Sequence, residues 1–338
     1  MKFGRIATAD GEGAILAHSV RGSGLTLKKG EVLEATHIAA LAEAGIDAVV
    51  AAILEPGDVT ENVAAQKLAT RMAGKGVRLE SPFTGRCNLM AEAAGLLLVD
   101  TATIDAVNAV DESITVATLT PMRPVVAGEM IATVKIIPFA VAEPCLAASL
   151  AAVAAPPVSV APFRPLDIGV VSTVLPGLKQ ATIEKTLNLL DARLALAGSR
   201  ITREARVAHD TPDLTDLLRQ VTGIDVLVIF GASAITDRRD VVPAAIEAAG
   251  GTVEQLGMPV DPGNLLLLGS LSIDGRTIPV IGAPGCARSP KENGFDFVLW
   301  RLLAGLPVTG AELRRMGVGG LLSEIVTRPQ LRQADANG

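Results

Sequence analysis

"VIFGASAITDRRDVVPAAIEAAGG", residues 228–251, carries an apolar strand into Gly231, sets Arg238 and Arg239 between Asp237 and Asp240, and then starts a helix at Pro243. Strand, polar loop and helix in this order form the repeating unit of a mostly parallel sheet. The same unit recurs on either side. Upstream lie the strand "DIGVVSTV", the helix "ATIEKTLNLLDARLALAG", the strand "ITREARV", the helix "PDLTDLLRQVTG" and the strand "DVLVIF"; downstream lies the strand "TVEQLG". "LLLLGSLSIDGRTIPVIG" then places Asp274 and Gly275 between two strand-like runs, the residue pair that a tight hairpin turn prefers. The last helix is expected in "SPKENGFDFVLWRLLAG", with Ser289 as N-cap, Pro290 at the first helical position and Glu292 completing a capping box. The expected fold is therefore α/β, a three-layer sandwich around a mostly parallel sheet.

A chain of 338 residues exceeds one ordinary hydrophobic core, so two domains are expected. "AAPPVSVAPFRP", residues 154–165, reads as a Pro-rich linker. Residues 1–153 then form an N-terminal α+β domain, 166–305 the α/β domain, and 306–338 a C-terminal tail. In the first half, "ATHIAALAEAGIDAVVAAIL" reads as a helix closed by Gly45 and followed by a strand, and "SITVATL" and "MIATVKIIPFAV" as further strands.

Net charge is −6, the 30 Lys and Arg are scattered, and the aromatics are seven Phe and one Trp, so no nucleic-acid partner is expected. Cys87, Cys145 and Cys286 are odd in number and far apart, which fits a reducing compartment. "MKFGRIATADGEG" lacks the basic-then-apolar pattern of a signal peptide, and the greasiest stretch, "CLAASLAAVAAPPVSVAPF", is too rich in proline to span a bilayer. The expected location is the cytoplasm, away from membranes.

Ligands of such sheets sit beyond the carboxyl ends of the strands. Three loops there combine small residues with groups able to hold an anion: "GASAITDRRD" (231–240), "MPVDPGN" (258–264) and "GAPGCARSP" (282–290). Ser233, Thr236, Asn264, Arg288 and free N–H groups at a helix start would suit a phosphate. Any strand-to-helix loop also uses Gly, Asp and Pro as turn residues and caps, so each loop alone has a purely structural reading. Cys286 has no histidine near it in sequence and reads as inert. His18, His37 and His209 show no metal-ligand spacing, and "GSG" (22–24) and "GVGG" (317–320) lack a dinucleotide-binding context.

Taken in order, the three loops resemble motifs of the domain shared by molybdopterin adenylyltransferase and molybdopterin molybdotransferase, over residues 166–305. "GASAITDRRDVVPAA" is similar to the family's strand, Gly-rich turn, aspartate and Pro-initiated helix, and "RDVVP" (239–243) to its Arg-Asp-Val-Thr-Pro. "MPVDPGN" resembles Met-Lys-Pro-Gly-Lys-Pro, and "GAPGCARSP" resembles Leu-Pro-Gly-Asn-Pro-Val-Ser. The resemblance implies Asp240 as the catalytic, metal-associated aspartate. It implies Gly231, Ser233, Thr236, Asp237, Pro262, Gly263, Asn264, Pro284, Gly285, Arg288 and Ser289 as the residues around the cofactor. The ligand implied is molybdopterin or a nucleotide form of it, with Mg²⁺ as a further requirement of nucleotidyl transfer, in a homo-oligomer. "GAILAHSV", "LKKGEVL" and "EPGDVTENVAAQKLA" resemble the front part of bacterial molybdopterin-binding proteins that sometimes carry a fused cytidylyltransferase-like domain; none is expected here.

The sequence also departs from that pattern. Ala232 and Ala234 stand where the family has glycines, the first strand supplies no carboxylate, and Asp261 and Asn264 replace lysines. Binding survives such changes better than catalysis does. Three readings stay open: a molybdopterin-binding protein that keeps or has lost its chemistry, a non-catalytic module that docks onto a nucleotidyltransferase or molybdoenzyme, and an unrelated nucleotide-sugar or cofactor enzyme on a borrowed sheet.

Overall fold

The computed structural model describes residues 1–22 and 24–322. The chain divides into two compact units, 1–161 and 162–338. No helix among the described residues is long and apolar enough to cross a membrane.

In the first unit, the helix Ala35–Glu43 ends before Gly45 (φ 70°) and leads into the strand Ala48–Ile53, which pairs with Lys2–Ala7 and Ile15–Leu16. Residues 58–161 add a four-stranded and a three-stranded sheet. Helices Glu61–Met72, Thr101–Asn108 and Glu143–Ala151 share with them a core that includes Leu68, Met72, Leu89, Ile114 and Val134. The segment 154–165 is not simply a linker. Val158–Pro162 is a strand beside Gly95–Val99, because Val158 and Val160 supply a buried alternation and backbone partners in Gly74 and Lys75.

The second unit is an α/β fold. Its strands are β1 (Asp167–Val174), β2 (Arg200–Ala208), β3 (Val226–Phe230), β4 (Thr252–Leu256), β5 (Leu267–Ile273) and β6 (Arg276–Ala283). Its helices are α1 (Gln180–Leu194), α2 (Thr211–Leu218), α3 (Val241–Ala248), α4 (Gly294–Leu303) and α5 (Gly310–Arg315). The sheet order is β2-β1-β3-β6-β5-β4, and only β5 runs against the rest.

Alternation along β3 builds the three layers. Val226, Val228 and Phe230 pack with Leu190, Leu194, Phe295 and Leu299 of α1 and α4. Leu227 and Ile229 pack on the other face with Leu214, Leu218, Val242 and Ile246 of α2 and α3. Every residue of β3 is buried, as a central parallel strand requires. The β5–β6 turn places both Asp274 (φ 53°) and Gly275 (φ 73°) in the left-handed region, the geometry that the Asp-Gly pair favours.

Two expectations fail at the C-terminal side. Residues 306–322 are part of the folded unit: Leu313 of α5 is fully buried in the α1–α4 core, and Asp261 bonds Gly320 and Leu322 through its backbone. Residues 323–338 of the expected tail lie outside the described residues. The last long helix starts at Gly294, and Ser289, Pro290 and Glu292 precede it. Asn293 wins as N-cap because its side chain accepts from Phe295 N while Asp296 accepts from Asn293 N, a complete capping box; among the described residues the Ser289 hydroxyl accepts only from Lys291 N.

Candidate functional site

Because β1, β2, β3, β4 and β6 are parallel, loops 231–240, 257–266 and 284–293 all emerge at their carboxyl edge. There a cavity of about 180 Å³ is lined by Ser172 and Thr173 at the end of β1, Ile183 and Thr186 of α1, Phe230 of β3, and Arg288. Arg288 arrives on a 3-10 turn, Gly285–Arg288. Its guanidinium lies 5.4 Å above the Phe230 ring and donates to Gly231 O at 3.0 Å. Among the described residues it has no carboxylate partner. Burial pushes its pKa below the ordinary arginine value, the signature of a cation short of counter-charge. Ser172 is 3% exposed, and its hydroxyl has no hydrogen-bond partner among the described residues. Thr173, 1% exposed, accepts from Ala232 N at 2.8 Å and meets His209 Nδ1 at 2.8 Å; His209 Nε2 in turn meets Ser233 Oγ at 2.7 Å.

The Arg288 turn is held from behind by a second arginine. Arg193 of α1 bonds Asp296 (2.6 Å), Ala287 O (3.1 Å) and Ser289 O (2.6 Å). This ion pair is nearly sealed, with side chains 11% and 4% exposed, so it acts at low dielectric and fixes the turn against α1 and α4. Cys286 beside it is a desolvated thiol, pushed up from its ordinary pKa chiefly by burial, with its sulfur against Asn293. Such a thiol is a poor nucleophile.

Of the residues expected around a cofactor, only Arg288 lines the cavity. Gly231 meets it through its carbonyl and Ser233 through His209. Thr236 and Asp237 serve Asp240, whose Oδ2 accepts from Thr236 N (2.6 Å), Thr236 Oγ1 (3.1 Å) and Asp237 N (2.9 Å). These donors, Thr236 N first, hold the Asp240 carboxyl below the usual carboxylate range. Asp240 stands at the N-cap of α3, yet its side chain turns back into its own loop and caps nothing, and α3 begins at Val241, before Pro243.

Loops 258–264 and 284–293 meet at the start of α4. Pro262 O accepts from Gly294 N, and a Cβ on Gly263 (φ 144°) would stand 2.8 Å from Gly294 Cα. The amides at the observed start of α4 are taken, Gly294 N by Pro262 O and Phe295 N by the Asn293 side chain; of those in 284–288, where the sequence placed free amides before a helix start, Ala287 N is taken by Pro284 O. Asn264 is exposed and engages Met258 through its backbone carbonyl, while Pro284 O accepts from Ala287 N. Gly285 lacks a left-handed φ, and a methyl group added to it would find no atom of the described residues within 4 Å, so backbone geometry does not demand glycine there. Ser289 offers its carbonyl to Arg193.

Ser172, Thr173, His209 and Arg193 are absent from the sequence-based set. "VVSTV" does carry a signal, since two adjacent hydroxyls close an otherwise apolar strand at a carboxyl edge. His209, isolated in sequence, acquires partners only across the β1, β2 and β3 ends.

No all-protein cage for Mg²⁺ forms among the described residues. Asp240 commits one oxygen to three donors, Asp237 is engaged by Arg239 (2.7 Å), and among the described residues no group of three or more His, Cys, Asp or Glu side chains could hold a metal ion.

Comparison with known proteins places a domain of unknown function (DUF8806) on residues 5–53. None of the curated proteins compared matches the chain. Among solved structures, a crystal structure of molybdenum cofactor biosynthesis protein B is similar at 15% identity and a TM-score of 0.29, covering 42% of this chain and 95% of that one.

Proposed function

We propose that the second unit binds a phosphorylated pterin of the molybdopterin class, with the phosphate in the cavity beneath Arg288. The carrying observation is the half-buried, carboxylate-free Arg288 beside the unpartnered hydroxyl of Ser172. A dianionic oxyanion supplies the acceptors that both donors lack, and a charge-assisted bond in a desolvated site is strong. About 180 Å³ fits a phosphate group and leaves the organic part of the ligand outside, over the loops of the carboxyl edge. The pterin enters from the order of the three loop motifs in the sequence.

Binding without independent nucleotidyl transfer is the favoured form of this reading. Asp240 is committed to its own loop, and β1 ends in hydroxyls where a second carboxylate would be needed.

Calorimetric titration with 6-hydroxymethylpterin phosphate and with inorganic phosphate tests the proposal. Both should bind, and Arg288→Gln should weaken each by roughly 10- to 100-fold, the range for a hydrogen-bonded charge. Affinity unaffected by Arg288→Gln would overturn it. Oxidation of an extract of the purified protein, followed by pterin fluorescence, gives the ligand class directly.

A further inference from the structure

The direction of the chain of contacts from Ala232 through Thr173 and His209 to Ser233 depends on the tautomer of His209, and giving the buried Thr173 hydroxyl an acceptor selects one. Thr173 Oγ1 meets two groups: the Ala232 amide, which can only donate, and His209 Nδ1. The hydroxyl is 1% exposed and has one hydrogen, so that hydrogen goes to Nδ1. A neutral His209 then carries its proton on Nε2, which donates to Ser233 Oγ at 2.7 Å. Ser233 is exposed, and this is its side chain's one partner among the described residues, so its own hydrogen points to a group outside the protein.

We infer that Ser233 is a fixed hydrogen-bond donor to an acceptor oxygen of the bound ligand at the cavity mouth, and that His209 and Thr173 are positioning residues that set this polarity. The geometry superficially matches a serine nucleophile with its histidine base and a third orienting group. The polarity is the reverse: a base would need a free Nε2, which would strip the buried Thr173 hydroxyl of its acceptor. Ala232 and Thr173 line the cavity and Ser233 does not, so Ser233 reads the part of the ligand that leaves the cavity, an ester or ring oxygen beyond the phosphate. Each donor in a chain polarises the next, which strengthens the last one.

This rests on the ligand class proposed above, and the test separates the two. Calorimetry with 6-hydroxymethylpterin phosphate on Ser233→Ala, His209→Phe and the double variant should show each single change weakening binding roughly three- to tenfold. The double variant should lose no more affinity than the worse single one; Ser233→Ala should leave the melting temperature unchanged, whereas His209→Phe should lower it, because it strips the buried Thr173 hydroxyl of its acceptor. Additive losses, or none while Arg288→Gln still weakens binding, overturn the relay. Wild-type binding that ignores Arg288→Gln, or no binding at all, overturns the ligand reading instead. A fluorophosphonate probe with mass spectrometry decides the relay without any assumed ligand: no adduct forms at Ser233 if its partner is a donor, and an adduct at Ser233 refutes the assigned polarity.

Discussion

Arg193→Met probes whether a sealed ion pair positions the anion site. The substitution keeps the aliphatic volume and removes three hydrogen bonds, to Asp296, Ala287 O and Ser289 O. It leaves the Asp296 carboxylate, 4% exposed, with the Asn293 amide as its remaining partner and loses the cation stacked 5.8 Å from the Phe295 ring centroid. Removing one member of a buried pair costs about 3–5 kcal/mol, because the surviving charge stays desolvated. The second unit should lose that much stability. Adding Asp296→Asn should recover part of it, since the amide still accepts from Asn293 N and no longer carries a charge. Urea denaturation followed through Trp300, the one tryptophan and a residue of α4, reads the change where it occurs. Phosphate affinity should fall with stability, because the turn carrying Arg288 loses its two carbonyl anchors. A cost below about 1 kcal/mol, or a double variant less stable than Arg193→Met, would refute the reasoning.

The revised start of α4 predicts that Asn293→Ala costs about 0.5–2 kcal/mol, whereas Ser289→Ala stays within about 0.5 kcal/mol; the reverse order in urea melts would restore Ser289 as the cap. Gly263→Ala should destabilise by about 1–3 kcal/mol, from the methyl forced against Gly294. Gly285→Ala should leave stability unchanged or raise it by about 0.4–1 kcal/mol, since its methyl meets open space; thermal melts compare the pair. Asp240, its pKa lowered first by the Thr236 amide, contributes stability that is present above the unfolded carboxylate range and lost as pH falls through its folded value. The melting-temperature gap between wild type and Asp240→Asn should therefore be widest near neutral pH and close under acid; a gap that grows on acidification would reverse the assigned sign.

The alternation of strand and helix from "DIGVVSTV" to "TVEQLG", with residues 228–251 as one unit of it, was enough to establish the α/β class. Apolar runs, turn residues and helical spacing are local signals, and β3 is so uniformly apolar that it fits only the centre of a parallel sheet. The Asp274-Gly275 hairpin and the helix closed before Gly45 were legible for the same reason: each depends on backbone preferences of the residues that form it. That loops 231–240, 258–264 and 284–290 share an edge follows from strand direction, so it too was within reach of the sequence.

What the tertiary structure alone decided is where each polar group directs its hydrogen bonds. Ser289, Pro290 and Glu292 form a good helix start by local rules, but Asn293 and Asp296 form another four residues on, and Arg193, about a hundred positions away in sequence, anchors the second. Asp240 can cap a helix or hold a ligand; its loop folds back and consumes it. His209 has no neighbour to suggest a role, and gains Thr173 and Ser233 only because three strand ends lie side by side. Local sequence sets which conformations a segment favours. The pairing of buried donors, acceptors and charges is settled by groups far apart in the chain, and at the carboxyl edge it leaves, among the described residues, Arg288 without a carboxylate and the Ser172 hydroxyl without a partner.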